Sequence, residues 1–406
     1  MKLFLNLAWR NLWRNKRRTL ISTSSVFFAV LLALVMRSMQ NGSYDYMIQS
    51  SVGLYLGYLQ IHGEGYWEKR SLDQSIEVQT DKLESFESVP HITQVVPRIE
   101  SFALLSKGVS TKVAQIVGID PQREDDMTCL AKRINAGRYL YEHDTGILLG
   151  AGLAKFLNVH CGDSVVIYGQ GFHGVTAAAN VPVVGILKFP IPALDNTMSY
   201  LPLGYAQWLF DAPGRMTSIA FMISSQVELE NIQSQLKQMA GDHTEVMTWQ
   251  EMMPELVQSI QADSAGGILM LLILYIVIGF GIFGTIMMMT NERTREFGVL
   301  ISVGMKRWKL ITVTVIETIM ISILGAGVGM VIGIPVLWYF YFHPIPLTGD
   351  AAAAMLAYGL EPILPFSIAP GIFIAQTMIV FILAAVCAIY PFLIIRKLKP
   401  VAALRS

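Results

Sequence analysis

The sequence predicts a membrane α-helical protein with four transmembrane helices and a large α+β domain inserted between helices one and two. Three observations predict this. The 406 residues are 53% hydrophobic and only 15% charged, with a mean hydropathy of +0.48, which is too apolar a balance for a chain living wholly in water. That apolarity is concentrated in four runs, Leu20–Met36 (extending into Gln40), Gly266–Met289, Leu310–Phe342 and Pro370–Ile395, each within or above the ~17–25 residues a helix needs to cross ~30 Å of hydrocarbon. Between the first two runs, residues 41–262 change character to short strand-like segments broken by Gly, Pro and Asp.

Charge sets the expected orientation. Residues 1–19, 290–309 and 396–406 together hold 15 Lys and Arg against two carboxylates, whereas residues 41–263 hold 14 against 25. The loop 343–369 has no Lys or Arg. Cationic loops stay on the cytoplasmic side, so both termini and the central connector are expected in the cytoplasm. The large insert does not vote, because long domains cross whatever their charge.

In chain order, residues 1–19 mix Leu5, Leu7, Trp9, Leu12 and Trp13 with cations and read as an amphipathic helix at the membrane surface. The first transmembrane helix is expected over 20–40. No small-residue cleavage site follows its apolar run, so it reads as an uncleaved anchor. The extracytoplasmic domain, 41–262, offers strand-like runs at Tyr55–His62, Val95–Leu105, Lys112–Ile119, Ser164–Tyr168, Val181–Leu187 and Ile219–Ser224, with helical patterns at Ala151–Leu157 and Val227–Met239. The second transmembrane helix is expected over 263–290, the third over 310–342, a short loop over 343–369, the fourth over 370–395 and a basic tail over 396–406. In the third, Gly325, Gly329 and Gly333 recur every four residues and share one face for close helix packing. Cys129, Cys161 and Cys387 are expected unpaired.

The connector 291–309, NERTREFGVLISVGMKRWK, is the candidate site. Thr290 or Asn291 can cap a new helix, with Glu292 in its first turn, where the helix dipole favours an acid. Phe297, Leu300, Ile301 and Gly304 then share a face, and Gly304 before Lys306, Arg307 and Lys309 reads as a stop. Alternating charges at Glu292, Arg293, Arg295 and Glu296 are more than an idle loop needs. A short amphipathic helix on the membrane surface could pass a push from a soluble partner to two membrane helices at once.

Catalytic and cofactor motifs are absent. There is no G-x-x-x-x-G-K-[ST], no H-E-x-x-H, no C-x-x-C and no G-x-S-x-G. Gly279-Phe-Gly281-Ile-Phe-Gly284 matches the dinucleotide fingerprint by letter, but it lies within an apolar span with no strand before it; helix packing is the better reading. Glu317 stands alone in the third span. An intramembrane carboxylate costs a few kcal/mol and is a functional candidate by default, here either a proton relay or a tie to a connector cation such as Arg293 or Arg295.

Five stretches resemble one family. NERTREFGVLISVGMKR resembles the coupling segment of the ABC-transporter permeases that include the macrolide exporters, the cell-division FtsX proteins and the lipoprotein-releasing (Lol) permeases. LAWRNLWRNKRRTLIS resembles their amphipathic start, GILLGAGLAKFLNVHCGDSVVIYG their periplasmic core, IETIMISILGAGVGMVIG (with Glu317) their third span, and YPFLIIRKLKPVAALRS their C-terminus. VVGILKFPIPALDNTMSYLPLGYAQWLF, with Asp195 and Gln207, resembles the lipoprotein-releasing branch.

The resemblance implies a bacterial inner-membrane permease working by mechanotransmission. No cofactor is expected on this chain; ATP and Mg would sit on a partner ATPase, two copies docking under two permease chains, identical or homologous. Glu292, Arg293, Thr294, Arg295, Glu296, Phe297, Gly298, Val299 and Gly304 would couple to it. A lipoprotein would enter between spans one and two along Phe28, Leu32, Val35, Ile268 and Leu272 and pass to a periplasmic carrier. Extracting acyl chains at ~0.8 kcal/mol per buried CH₂ calls for an energy source. The alternatives within the resemblance are a signalling scaffold of the FtsX kind and efflux of amphiphilic small molecules or peptides; nucleic acid is not an expected partner.

Overall fold

The computed structural model describes residues 2–14, 16–357 and 362–398. Its contacts divide the chain into one unit of Met1–Tyr46, Ser259–Pro346 and Ile363–Ser406 and a second of Met47–Gln258 and Leu347–Pro362. Among the described residues, four helical stretches are long and apolar enough to cross a membrane: Thr19–Leu56, Pro254–Glu292, Arg307–Phe342 and Pro370–Lys397.

The helices outrun the apolar segments that announced them. The first is one α-helix over Lys16–Ser51 followed by a π turn at Val52–Leu56, against an expected end at 40. The second begins at Pro254, against 263. The reason is local: beyond the apolar runs, Asp263 accepts hydrogen bonds from Tyr44 Oη at 2.6 Å and Gln40 Nε2 at 3.3 Å. Apolarity decides which part of a helix lipid tolerates, and not where its backbone stops. The fourth span, expected unbroken over 370–395, divides into Pro370–Cys387 and Ile389–Lys397. Pro391 lacks the N–H that the Cys387 carbonyl would otherwise receive. The expected loop 343–369 also carries structure: Ile345–Pro346 pairs antiparallel with Ile363–Leu364, and Asp350–Ala357 is helical, as its alanine run favours.

The first and third spans pack closely where the glycines recur. A Cβ on Gly325 would lie 2.6 Å from Val26, on Gly329 3.0 Å from Val30, and on Gly333 3.1 Å from Leu34. Small residues let two backbones approach where no solvent drives them together. Gly279, Gly281 and Gly284 behave otherwise. They lie inside one long helix, which removes any dinucleotide reading. A Cβ on Gly281 or Gly284 would meet nothing within 4 Å, and on Gly279 only Leu383 at 3.9 Å. Among the described residues, Gly281 and Gly284 thus make no close helix packing, and Gly279 meets the fourth span only through its carbonyl, which accepts from Cys387 Sγ at 3.7 Å, and through Leu383.

In the second unit a ten-stranded sheet runs in the order Thr244–Thr248, Leu59–Gly63, Ser218–Ile223, Ile92–Lys107, Ser110–Ile119, Met198–Pro202, Ile147–Gly150, Thr176–Leu187 and Ile134–Gly137. Ser164–Gln170 joins Ile92–Lys107 to Thr176–Leu187, so six strands pair in a closed circuit around a core containing Ile99, Leu105, Ile116, Leu149, Ile167 and Val181. Ile92–Lys107 serves both ends of the domain: its first half pairs with Ser218–Ile223 and its second with Ser164–Gln170. The three cysteines are free.

Candidate functional site

The connector folds as a nine-residue helix, Thr294–Ser302, shorter than the 291–309 the sequence suggested. Thr290, Asn291 and Glu292 do not cap it; they finish the second span's helix, with Thr290 Oγ1 donating back to the Ile286 carbonyl at 2.8 Å. The break falls at Arg293. The C-terminus matches the glycine stop. Gly304 takes φ +102°, its N–H donates to Ile301 O at 3.0 Å and that of Met305 to Leu300 O at 3.0 Å, the pair of bonds that closes a helix on a left-handed residue.

Two faces result. Phe297 is buried with Leu310 and Ile395, and Ile301 and Met305 pack on them; Gly298 is buried too. Leu300, expected on this face, is instead 39% exposed, and Gly304 is exposed. With Arg295, Glu296, Val299 and Val303 they form the outward surface, Val303 being 83% exposed. Phe297, Gly298 and Ile301 centre the buried face, and at about 100° per residue that leaves Leu300 beyond its edge.

Ionic contacts seat the connector. Arg293 Nη1 donates to both carboxylate oxygens of Glu317, at 2.9 and 2.7 Å, with the pair nearly shut from solvent. Thr294 Oγ1 donates to Thr290 O at 3.1 Å across the break. Arg14, at the end of the helix Lys2–Arg14, donates to both oxygens of Glu296 at 2.8 and 2.7 Å. That pair is exposed and contributes little stability, typically under ~1 kcal/mol; it fixes geometry. Leu12 packs with Met289 and Ile321, while Trp9 and Trp13 stay outward at 44% and 49% exposure. Arg307 donates to the carbonyls of Arg396 and Leu398 at 2.9 and 3.0 Å; residues 399–406 of the basic tail lie outside the described residues. Four pieces of chain thus meet around Thr294–Ser302: the amphipathic start, the ends of spans two and three, and the end of span four.

The expected cargo residues are not gathered into one path. Ile268 and Leu272 line a groove of about 1050 Å³ between the second and fourth spans. Phe28 and Leu32, at 58% and 54% exposure, are not among its walls, and Val35 packs into the helical core. The sequence could place these residues on outward faces, but pairing those faces required the helix order.

In the second unit, Asp195 is 4% exposed and accepts from Lys188 Nζ at 2.6 Å, Phe189 N at 3.0 Å and Gly152 N at 3.1 Å. A Cβ on Gly150 would lie 2.4 Å from the Asp195 carbonyl, so this glycine admits the 195 backbone. Gln207 donates to Arg215 O at 3.0 Å. Sequence reading missed the fully buried pair Arg98–Glu124, bidentate at 2.7 Å, although an arginine inside the strand run VVPRIESFALL was a visible signal. Arg98 also donates to the Tyr55 carbonyl and stacks 4.6 Å over its ring. No cluster of three metal-ligating side chains occurs among the described residues.

Two family models match the chain: the MacB-like periplasmic core domain over residues 19–239 and the FtsX-like permease C-terminal over 268–400. The lipoprotein-releasing system transmembrane protein LolE of Haemophilus influenzae is 23% identical over 60% of this chain and 60% of its own length. The macrolide export ATP-binding/permease protein MacB of Bartonella quintana is 21% identical over 82% of this chain and 51% of its own length. The chain thus spans about three-fifths and one-half of the lengths of these curated relatives. The periplasmic region of MacB from Actinobacillus actinomycetemcomitans aligns in structure with 52% of this chain and 94% of its own, at 20% identity and a TM-score of 0.36.

Proposed function

The chain belongs to the family of membrane proteins with a MacB-like periplasmic core domain, joined here to an FtsX-like permease C-terminal region, and on that premise we propose that it is the permease subunit of an ATP-driven ABC transporter in a bacterial inner membrane. ATP and Mg are held by a separate ATPase, two copies of which dock under a pair of permeases, identical or homologous. Both termini and the connector face the cytoplasm, in keeping with the 15 cations against two carboxylates in those pieces. One observation carries the reading. The connector helix is anchored behind, through Arg293–Glu317 and the buried Phe297, and presents Arg295, Glu296, Val299, Leu300 and Val303 outward. A surface both anchored and exposed suits a lever between a soluble motor and two spans.

For cargo we propose a lipoprotein, extracted from the membrane and handed to a periplasmic carrier, supported by the likeness to LolE. Efflux of amphiphiles is the second reading, favoured by the longer stretch shared with MacB. The coupling test is co-purification in mild detergent. The chain should bring down an ATPase, and Val303→Asp, at a position 83% exposed, should cut the amount recovered at least about tenfold, the loss expected from ~1.4 kcal/mol at the interface, without altering the permease's melting. Equal recovery sinks the lever. Depletion of the chain separates the cargoes: lipoproteins stranded in the inner membrane support the first reading, and drug sensitivity with normal sorting the second.

A further inference from the structure

The groove between the second and fourth spans has a polar end and an apolar length. Its walls run along the second helix from Ile268 to Phe283 and along the fourth from Ala375 to Leu393, about 22 Å on the second helix at 1.5 Å rise per residue. That exceeds the ~15 Å half-thickness of the hydrocarbon core. A volume of about 1050 Å³ sits at the top of the ~300–1,000 Å³ range of ligand cavities. The charged member of its lining is Arg37, one residue beyond the first apolar run, and midway along the second-helix wall Tyr275 Oη donates to Gln376 Oε1 across the groove.

Arg37 is held in place without being neutralised. Its Nη1 donates to Gln40 Oε1 at 2.7 Å, and Gln40 Nε2 donates in turn to Asp263, to its carbonyl at 3.2 Å and its carboxylate at 3.3 Å. The Asp263 carboxylate itself is taken by Tyr44 Oη at 2.6 Å. No carboxylate stands within ion-pair distance of Arg37 among the described residues, and none lines the groove. A guanidinium offers five N–H donors in a fork that suits phosphate, and leaving a cation unpaired at an apolar surface costs free energy.

We propose that this groove binds one anionic phospholipid, its phosphate on Arg37 and an acyl chain laid along the second and fourth spans toward Tyr390. Gly279 lines the groove beyond its midpoint, where a Cβ would have open space up to Leu383 at 3.9 Å. The site lies on the helical unit itself and holds for any cargo, so it stands or falls separately from the transport reading.

The test titrates the delipidated full chain in mild detergent, with its ATPase where that co-purifies, with phosphatidylglycerol, phosphatidylcholine or inorganic phosphate, following the melting temperature. Phosphatidylglycerol should bind at least tenfold more tightly than phosphatidylcholine, and inorganic phosphate, which has no acyl chain, should give no shift. Arg37→Gln should bring the two lipids level, and Gly279→Phe should abolish the response to both while the lipid-free melting of each variant stays near that of the native chain. Equal response to both lipids in the native chain, or an unchanged preference in Arg37→Gln, makes the groove ordinary lipid-facing surface. A cross-link between Ile276→Cys copies that excludes lipid gives the groove to a second chain. Either result overturns the proposal.

Discussion

At the scale of single residues, the second unit hides one titratable group with a measurable signature. His62 is fully buried, with Nε2 against Gln60 Oε1 at 2.9 Å and Nδ1 without a hydrogen-bond partner. Tyr66 and Trp67 flank its ring at 5.7 and 5.5 Å between centroids, and the Arg70 guanidinium lies 3.7 Å over Trp67. Burial, aided by the Arg70 charge, pushes the imidazole pKa down to about 3. The unfolded chain therefore takes up a proton near pH 6.5 that the fold refuses. His62 leaves stability intact above pH 6.5, and stability falls as pH drops from there toward 3, by at most ~1.4 kcal/mol per unit. Chemical denaturation of the native chain and of His62→Phe at pH 7.5, 6.0 and 5.0 isolates this share. The variant should lose less stability across that series; identical slopes would show that the imidazole is not held neutral.

At the scale of elements, the long strands were legible, and of the short ones Leu59–Gly63 and Ser218–Ile223 were read while others were not. Thr176–Leu187 and the 101–105 stretch of Ile92–Lys107 alternate in burial, so their period shows in the sequence. Ile147–Gly150 and Met198–Pro202 are buried at every position, which erases alternation, and at four and five residues they cannot be told from loop or helix fragments. The connector followed the same rule. Its glycine stop was readable because Gly304 needs a positive φ, whereas its start depended on whether Thr290 turned outward or back onto Ile286. The glycine stripe of the third span is the element whose spacing spoke most directly, and it yields a controlled comparison. Gly329→Leu must displace Val30, 3.0 Å from the new Cβ, and overpacking of this kind costs ~1–3 kcal/mol. Gly327→Leu, on the same helix with nothing within 4 Å, should stay within about 0.5 kcal/mol. Equal melting of the two variants in mild detergent would refute the proposed packing face.

At the scale of the whole molecule, the lever proposed for the connector is useful only if its motion reaches the domain of residues 47–258. The chain enters that domain along the first-span helix, and the helix ends in the π turn Val52–Leu56. There Arg98 grips the Tyr55 carbonyl and stacks on its ring, while Glu124 holds Arg98 bidentately. A fully buried ion pair is poor evidence for stability, since an apolar replacement of similar size is often neutral or better. Beside the end of the first-span helix, the pair has a use if it transmits force. Removing one partner alone, as in Arg98→Met, strands a buried charge and should cost ~3–5 kcal/mol, which confounds loss of folding with loss of function. The paired replacement Arg98→Met with Glu124→Leu avoids that stranded charge. We expect it to melt within a few degrees of the native chain and to retain ATPase recovery and nucleotide hydrolysis, yet to release cargo several-fold more slowly. A folded double variant that releases cargo at the native rate would remove Arg98 from the route and leave force to travel by the second-span helix instead.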